Sequence, residues 1–351
     1  MHKIRFKLLI KLIILGMLSG SIISFIQSYA FSNEFFISIL NGVVDGGLIA
    51  TLIGVYHIYI REFSLKQNFQ HINFVLRIFF HSSIYLILII FGRSIGRYIM
   101  GEYSSIILFP VENKKDIEIL LDSVSKGFII SIFINFILEN NQLIGGKTFI
   151  KFLSGEYRIP KTEERVILFL DMVSSTSIAE KIGDLNFINL LKKFFQEMSE
   201  PILITKAEIH KYVGDEVILT WSERQKNFVE ESINFSFLFQ EKLEKEKARF
   251  LKEFGIFPEF RTAIHFGSIA IGEIGELKKE IAFMGDSLNT TARILDHGKK
   301  YDTKNSVLIS ESALNKLTHR EKYNITTLGD IQLKGKEIKI QVFQIDRINN
   351  T

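Results

Sequence analysis

The uneven distribution of apolar residues constrains the fold of this chain more than any other feature. Four predominantly apolar stretches occupy residues 8–27, 35–60, 72–92 and 120–138. Three of them have about the ~20 residues that a helix needs to cross a bilayer, while Asp122 and Lys126 interrupt the fourth near its start. We therefore expect an all-α transmembrane domain of about four helices in residues 1–140, with the lipid bilayer as a partner.

Basic residues near these stretches predict their orientation. Lys3, Arg5 and Lys7 precede the first stretch, and Arg61 and Lys66 follow the second. The connection SYAFSNE between the two stretches has no basic residue. Because cytoplasmic loops are enriched in Lys and Arg, the N-terminus should be cytoplasmic, and an even number of spans returns the chain to that side. We expect an integral protein of an inner or plasma membrane whose soluble part is cytoplasmic.

Several side chains within the apolar stretches are ionisable: Asp45, His57, His71, Arg77 and His81. Such groups are costly in lipid, so an Asp–Arg pair or a histidine-bound haem would be compatible with them. No histidine spacing demands haem, and we expect structural roles for these residues. Gly42 and Gly46 form a small-xxx-small step, which would allow two helices to approach closely.

Composition excludes other kinds of chemistry. The chain has no cysteine, which rules out disulfides, thiolate metal sites and a cysteine nucleophile. A net charge of +4 on 351 residues is mild, and no basic stripe with interleaved aromatic residues stands out. We therefore predict no nucleic-acid partner.

The rest of the chain predicts a linker and a soluble α+β domain. Residues 141–164 are polar and contain Gly145, Gly146 and Pro160, as in a linker. Strand and helix patterns then alternate over residues 165–346. Among them we predict a strand VILFLDMV, one helix over Ser177–Thr205, and a strand pair FRTAIHFG and SIAIGEIG.

Two acidic residues end neighbouring predicted strands. Asp171 closes VILFLDM, and KYVGDEVILT predicts a hairpin whose turn holds Gly214 and Asp215. Two carboxylates brought together there would bind hard cations along with phosphate oxygens. The segment after Asp171 enters a helix, whose N-terminus would hold phosphates through Ser174, Ser175 and Thr176. Taken singly, Asp171 would be a helix cap and Asp215 an ordinary turn residue.

Four blocks in order, FLDMVSST, KYVGDE, GDSLNTTARI and LGDIQLKGK, resemble the catalytic domain of class III nucleotide cyclases, the adenylate and guanylate cyclases. The resemblance runs from about Arg165 to Ile345. It implies an extended ferredoxin-like βαββαβ core and a homodimer that places two active sites across its interface. It also implies conversion of a nucleoside triphosphate into its 3′,5′-cyclic monophosphate and pyrophosphate.

The resemblance assigns catalytic roles to five residues of this chain. Asp171 and Asp215 match the metal-binding aspartates, which implies two Mg²⁺ or Mn²⁺ ions per active site. Asn289 and Arg293 match the transition-state pair that the opposite subunit contributes, and their spacing of four puts them on one helix face. Lys334 matches the phosphate-binding lysine. The structural alternatives are a helix cap for Asn289, a surface charge for Arg293 and a basic turn for Lys334.

Two further positions concern the nucleotide base. Lys211 stands where adenylate cyclases carry lysine and guanylate cyclases typically carry glutamate, which favours ATP. Ala282 stands at the partner position, where alanine cannot accept a hydrogen bond from the adenine amino group. We therefore expect poor discrimination against GTP, because strong rejection requires polar groups that the wrong base leaves unpaired.

The resulting expectation is a membrane-bound, homodimeric adenylate cyclase that takes part in intracellular signalling. One alternative is a guanylate or dual-specificity cyclase. Another is a catalytically inactive nucleotide-binding regulator attached to a membrane sensor, although all five catalytic and metal positions hold competent residue types. A diguanylate cyclase is more remote, since VGDEV lacks the paired glycines of that family's turn.

Overall fold

The computed structural model describes residues 2–31, 35–61, 73–100, 154–277, 279–301, 306–332 and 339–348, together with the helical positions 125, 128–129, 131–132 and 135–136. The chain divides into two compact units, Met1–Ile144 and Gly145–Thr351. Most of the predicted fourth span, 120–138, and Lys334 lie outside the described residues.

The first unit is helical. It contains α1 (His2–Phe31), α2 (Phe35–Val55), a π-helical turn (Tyr56–Arg61) and α3 (Phe74–Ile99). Within the described part of the chain, Phe36–Ile60 and Val75–Gly96 are long and apolar enough to cross a bilayer, and Leu9–Phe25 is a shorter apolar segment. An apolar helical region is therefore confirmed, whereas the count of four spans stays a prediction.

Helices α1 and α2 cross at facing glycines. A Cβ atom built on Gly20 would overlap the carbonyl oxygen of Gly42, and one on Gly16 would meet the carbonyl oxygen of Gly46. The obstructing atoms belong to the backbone, so no side-chain rotation could make room. The close helix approach expected from Gly42 and Gly46 is confirmed, and it takes place within one chain.

We expect Gly20→Leu to destabilise the helical unit, because four additional carbons cannot fit against the α2 backbone. Overpacking of this kind typically costs about 1–3 kcal/mol. The midpoint of heat-induced aggregation of the full-length protein in detergent micelles should fall clearly below that of the wild type. Ser19→Leu is the matched control, since the neighbouring Ser19 is exposed. Equal midpoints for the two variants would contradict the crossing.

Two histidines of the helical unit have tyrosine partners. Tyr56 OH lies 2.6 Å from His81 Nδ1, and His57 Nδ1 lies 2.8 Å from Tyr85 OH. Tyr56, His81 and Tyr85 are buried, so these hydrogen bonds offset the cost of removing polar groups from water. The contacts fit the structural roles that the sequence suggested for His57 and His81.

The second unit is built on a mixed sheet. Its described strands are β1 (Lys161–Met172), β2 (Glu208–Val213), β3 (Glu216–Ser222), β4 (Phe260–Ile274), β5 (Glu280–Met284), β6 (Val307–Ser310), β7 (Tyr323–Gln332) and β8 (Lys339–Arg347). Their spatial order is β2-β3-β1-β4-β6-β8-β7, and β5 pairs with β4. Strands β4 and β6 run parallel, while the other described pairs are antiparallel.

Helices cover both faces of this sheet. They are α4 (Ser175–Ile182), α5 (Asp184–Glu197), α6 (Ser199–Thr205), α7 (Phe228–Phe254), α8 (Asp286–Gly298) and the short α9 (Glu311–Leu314). On one face Leu168 packs in a core with Phe194 of α5 and Phe239 of α7. On the other, Ile167 packs with Ile294 of α8. The predicted α+β class is confirmed.

Two local predictions in this unit were wrong. The region Ser177–Thr205 was expected to be one helix, but Gly183 at φ 78° separates α4 from α5, and α6 begins after Met198. The expected strand pair around Gly267 is a single strand, β4. A Cβ on Gly267 would lie 2.5 Å from Ser287 Oγ, so this glycine permits close packing of α8 and makes no turn.

A buried arginine ties β1 to β2. The Arg165 side chain is 1% exposed. Its Nη1 donates to Glu208 Oε2 at 2.8 Å and to Thr220 Oγ1 at 3.0 Å, while Nε and Nη2 donate to Glu163 Oε2 at 3.0 and 2.8 Å. Because one buried guanidinium donates to both carboxylates, this network is sensitive to loss of the arginine.

Candidate functional site

The end of β1 and the β2–β3 turn meet at one edge of the sheet. Strands β1 and β3 are antiparallel with Leu170 opposite Val217, so the next residue, Asp171, lies beside the turn that precedes β3. Gly214 in that turn has φ +63°, a conformation that suits glycine. The predicted hairpin is confirmed, and the two strands bring Asp171 and Asp215 together.

The Asp215 carboxyl group lies close enough to Asp171 to affect its ionisation. Burial raises the pKa of Asp171 to about 6, and interaction with the Asp215 carboxyl group and its negative charge add to the increase. Burial also raises the pKa of Glu216 to about 7, with repulsion from Asp171 and Asp215 as further causes. The site thus concentrates negative charge that burial disfavours, and a bound cation would offset it.

Two basic residues lie next to these acids, and the sequence interpretation missed both. Arg261 is paired with Asp171 across β1 and β4, and its buried Nε has no hydrogen-bond partner within the described ranges. Lys299 follows α8, and its Nζ lies 3.7 Å from Asp171 Oδ2. Both charges lower the pKa of Asp171, although burial and Asp215 outweigh them. Strand register and helix packing create these contacts, and neither has a local sequence signal.

The turn after Asp171 leads directly into α4. Val173 N donates to Glu259 O at 2.9 Å, which fixes the chain at the exit from β1. Ser174 has φ 57° and ψ 32° and makes no side-chain capping hydrogen bond. A non-glycine residue in the left-handed region is uncommon and is often found at binding sites. Ser174 and Thr176 are exposed and Ser175 is half-buried, so the N-terminus of α4 is open to a ligand.

The positions proposed for the nucleotide base lie on β2 and β5. The His210 ring stacks on Phe283 with centroids 4.0 Å apart, which joins the two strands. Lys211 Nζ lies 3.9 Å from Glu280 Oε1, two residues before Ala282 on β5. The structure therefore brings Lys211 close to the strand that carries the half-buried Ala282.

Asn289 and Arg293 lie on α8, and they occupy its less buried side. Asn289 is exposed and Arg293 is half-buried, whereas Thr290, Thr291 and Ile294 are buried. The spacing of four that predicted a shared face is thus compatible with the burial pattern. Lys334 falls in 333–338, outside the described residues, and its role stays a prediction.

The chain matches the family model for the adenylate and guanylate cyclase catalytic domain over residues 158–347. It is 36% identical over 210 residues to adenylate cyclase 2 of Rhizobium meliloti, covering 60% of this chain and 57% of that protein. It is 25% identical over 213 residues to human guanylate cyclase soluble subunit beta-2, covering 60% of this chain and 32% of the relative.

The fold is also similar to solved structures. A bacterial light-regulated adenylyl cyclase superposes with a TM-score of 0.52 at 17% identity, covering 62% of this chain and 64% of that one. The chain spans just over half the length of the Rhizobium relative. Since the family model covers more than half of the chain, the protein belongs to the adenylate and guanylate cyclase catalytic domain family.

Proposed function

We propose that this protein is a membrane-bound adenylate cyclase that converts ATP into 3′,5′-cyclic AMP and pyrophosphate in intracellular signalling. The observation that carries the proposal is the pair Asp171 and Asp215, brought together at the end of β1 in a chain of the cyclase family. The name of the Rhizobium relative supports ATP as the substrate. The two apolar spans support membrane anchoring. The basic residues that flank the first two apolar stretches support a cytoplasmic N-terminus and catalytic unit.

The residues at this edge of the sheet fit divalent cations. In the part of the chain that the structure describes, no group of three or more Asp, Glu, His or Cys side chains is arranged to hold a metal ion by itself. Two carboxylates suit Mg²⁺ or Mn²⁺ nevertheless, because Mg²⁺ commonly binds through one or two carboxylates and completes its shell with water and substrate phosphates. We propose two ions per active site, held by Asp171 and Asp215. When bound, they would acidify the ribose 3′-hydroxyl and offset triphosphate charge.

The remaining groups would position the triphosphate. The N-terminus of α4, with Ser174, Ser175 and Thr176, would donate hydrogen bonds to phosphate oxygens. Arg261 would add a guanidinium beside the carboxylates, since its buried Nε lacks a hydrogen-bond partner in the described ranges. The 3′-oxygen, after losing its proton to water, would attack the α-phosphorus. The bond between the α-phosphorus and the oxygen bridging to the β-phosphorus would break, and pyrophosphate would leave with that oxygen.

We propose a homodimer in which a second copy completes each site. Asn289 would orient the ribose, Arg293 would offset charge developing on the α-phosphate, and Lys334 would bind the outgoing phosphates. The open side of α8 supports this arrangement. Apolar side chains exposed on the catalytic unit would gain from being covered by a second copy; they include Leu185, Ile188, Tyr212, Val213 and Met284.

The decisive experiment uses the full-length protein in membranes, supplied with Mn²⁺ or Mg²⁺ and either ATP or GTP. Mass spectrometry would identify the cyclic product. Cyclic AMP as the main product supports the proposal. Comparable cyclic GMP would support the dual-specificity alternative, which the missing side-chain acceptor at Ala282 favours. Nucleotide binding without any cyclic product would contradict catalysis and favour the inactive regulator.

We expect Lys211→Glu to lower kcat/KM for ATP about tenfold more than for GTP, because a carboxylate cannot donate a hydrogen bond to adenine N1. A tenfold change corresponds to about 1.4 kcal/mol, within the range of a charged hydrogen bond. Repulsion from the nearby Glu280 acts with either base, so the ratio of the two values isolates base recognition. Lys245→Glu, at an exposed position on α7, is the control. Equal losses with ATP and GTP would remove Lys211 from base recognition.

A further inference from the structure

The C-terminal end of α8 brings a lysine to the proposed metal site. Lys299 Nζ lies 3.7 Å from Asp171 Oδ2 and 2.8 Å from Asp296 Oδ1. Hydrogen bonding to Asp296 is the first cause that raises the pKa of Lys299, so the side chain remains a cation at neutral pH. An ammonium group therefore lies against one of the two carboxylates that would hold the metal.

The local charges explain why the ammonium lies there. Burial and Asp215 raise the pKa of Asp171, and burial, Asp171 and Asp215 raise the pKa of Glu216. Lys299 is a positive charge that opposes the increase at Asp171. Arg261, the other cation beside Asp171, extends from the central strand β4. Lys299 differs because it follows the last residue of a helix and is about half exposed, with a side-chain exposure of 49%. A long lysine side chain in such a position is flexible.

We propose that Lys299 is a built-in counter-cation, which neutralises Asp171 in the metal-free protein and is displaced when Mg²⁺ or Mn²⁺ binds. This inference rests on the proposed metal role of Asp171 and Asp215. The same negative charge that attracts a metal ion attracts the ammonium group, and both compete for Asp171. Lys299 thereby lowers the affinity of the empty site for cations.

The distances from Lys299 Nζ to Asp171 and to Asp296 indicate where the ammonium group would lie after displacement. At 3.7 Å its contact with Asp171 is longer than a direct hydrogen bond, while the contact with Asp296 is of normal length. Asp296 is exposed and lies three residues earlier on the same helix, so its pairing with Lys299 does not depend on the metal site. Displacement would thus break the weaker contact and keep the stronger one.

Direct Mn²⁺ binding tests this inference without relying on turnover. The full-length protein in detergent micelles would be titrated with Mn²⁺ in the absence of nucleotide, and free Mn²⁺ would be measured by electron paramagnetic resonance. The titration would be run at pH 8, well above the ordinary pKa of a carboxyl group. Proton competition then has little influence on the comparison.

Lys299→Met should lower the Kd for Mn²⁺ about three- to tenfold, because it removes a positive charge close to the metal position. Lys299→Arg keeps the charge and should bind Mn²⁺ like the wild type. Lys300→Met is the matched control at the next, exposed position, and its Kd should be unchanged. The Mn²⁺-binding site that is lost or weakened in Asp215→Asn is the one held by the carboxylate pair. The fluorescence of Trp221, the sole tryptophan of the sequence and fully buried, verifies that each variant is folded.

Two results would overturn the inference, and they are distinguishable. If Asp215→Asn weakens Mn²⁺ binding but Lys299→Met does not strengthen it, the counter-cation role is wrong and the metal site stands. If Asp215→Asn leaves Mn²⁺ binding unchanged, the proposed metal site is wrong, and the role of Lys299 is overturned with it.

Discussion

Asp215→Asn is expected to abolish cyclic nucleotide synthesis, with kcat reduced roughly 1000-fold or more. The amide keeps the size of the side chain but removes one of the two carboxylates that would hold the cations. Metal ions supply several kcal/mol of transition-state stabilisation, and each 1.36 kcal/mol corresponds to a factor of ten in rate. The measurement is the initial rate of cyclic AMP formation by the full-length protein in membranes at saturating ATP and Mn²⁺.

The loss should not come from unfolding. Asp215 lies in a turn, and its substitution by Asn removes the repulsion that raises the pKa of Asp171 and Glu216, so the unit should be no less stable. The midpoint of urea-induced unfolding, followed by Trp221 fluorescence, should be unchanged. Asp184→Asn, an exposed acid in the first turn of α5, should retain near wild-type activity. A rate for Asp215→Asn within tenfold of the wild type would contradict the proposed metal mechanism.

Arg165→Met is expected to destabilise the catalytic unit by about 3–5 kcal/mol, the cost typical of removing one partner from a buried ion pair. Methionine fills similar space, but it removes the guanidinium group from which Glu163 and Glu208 both accept hydrogen bonds. Trp221 is fully buried, and its indole N–H donates to Thr205 O at 3.0 Å. Its fluorescence therefore reports unfolding of this unit within the full-length chain during urea titration.

A second arginine provides the matched control. Arg249 on α7 pairs with Glu253 at 2.7 Å, but its side chain is 59% exposed. Exposed pairs contribute about 0–1 kcal/mol, so Arg249→Met should shift the transition little. Adding Glu163→Gln and Glu208→Gln to Arg165→Met should recover part of the loss, since neutral amides are less costly to bury. Equal urea midpoints for Arg165→Met and Arg249→Met would contradict the role of the buried hydrogen-bond network.

The sequence was most informative where local pattern determines structure. The apolar run VILFLDM and the Gly214–Asp215 turn specified a central strand and a hairpin, and the observed register brings their acids together. Predictions from local sequence propensity were wrong where backbone conformation or tertiary contacts determine the structure. Gly183 adopts a positive φ within an otherwise helical pattern, and Gly267 lies inside an unbroken strand at a point where Ser287 approaches too closely for a Cβ atom.

The residues around the candidate site show the same limit. Arg261 and Lys299 lie far from Asp171 in sequence, and only the pairing of β4 with β1 and the packing of α8 bring them near it. Neither contact has a periodic or motif signal. The roles of Asn289, Arg293 and Lys334 depend on a second copy of the chain, and they stay predictions together with the metal ligands and the base contacts.

Helix α8 has a consequence that extends beyond a single catalytic centre. In the proposed dimer, Asn289 and Arg293 would serve the centre whose aspartates come from the second copy, while Lys299 beyond the same helix contacts Asp171 of its own copy. Each α8 would therefore touch both centres of the assembly. Metal binding at one centre would displace the lysine side chain that follows a helix whose exposed side serves the other centre, so these 13 residues would couple the two centres.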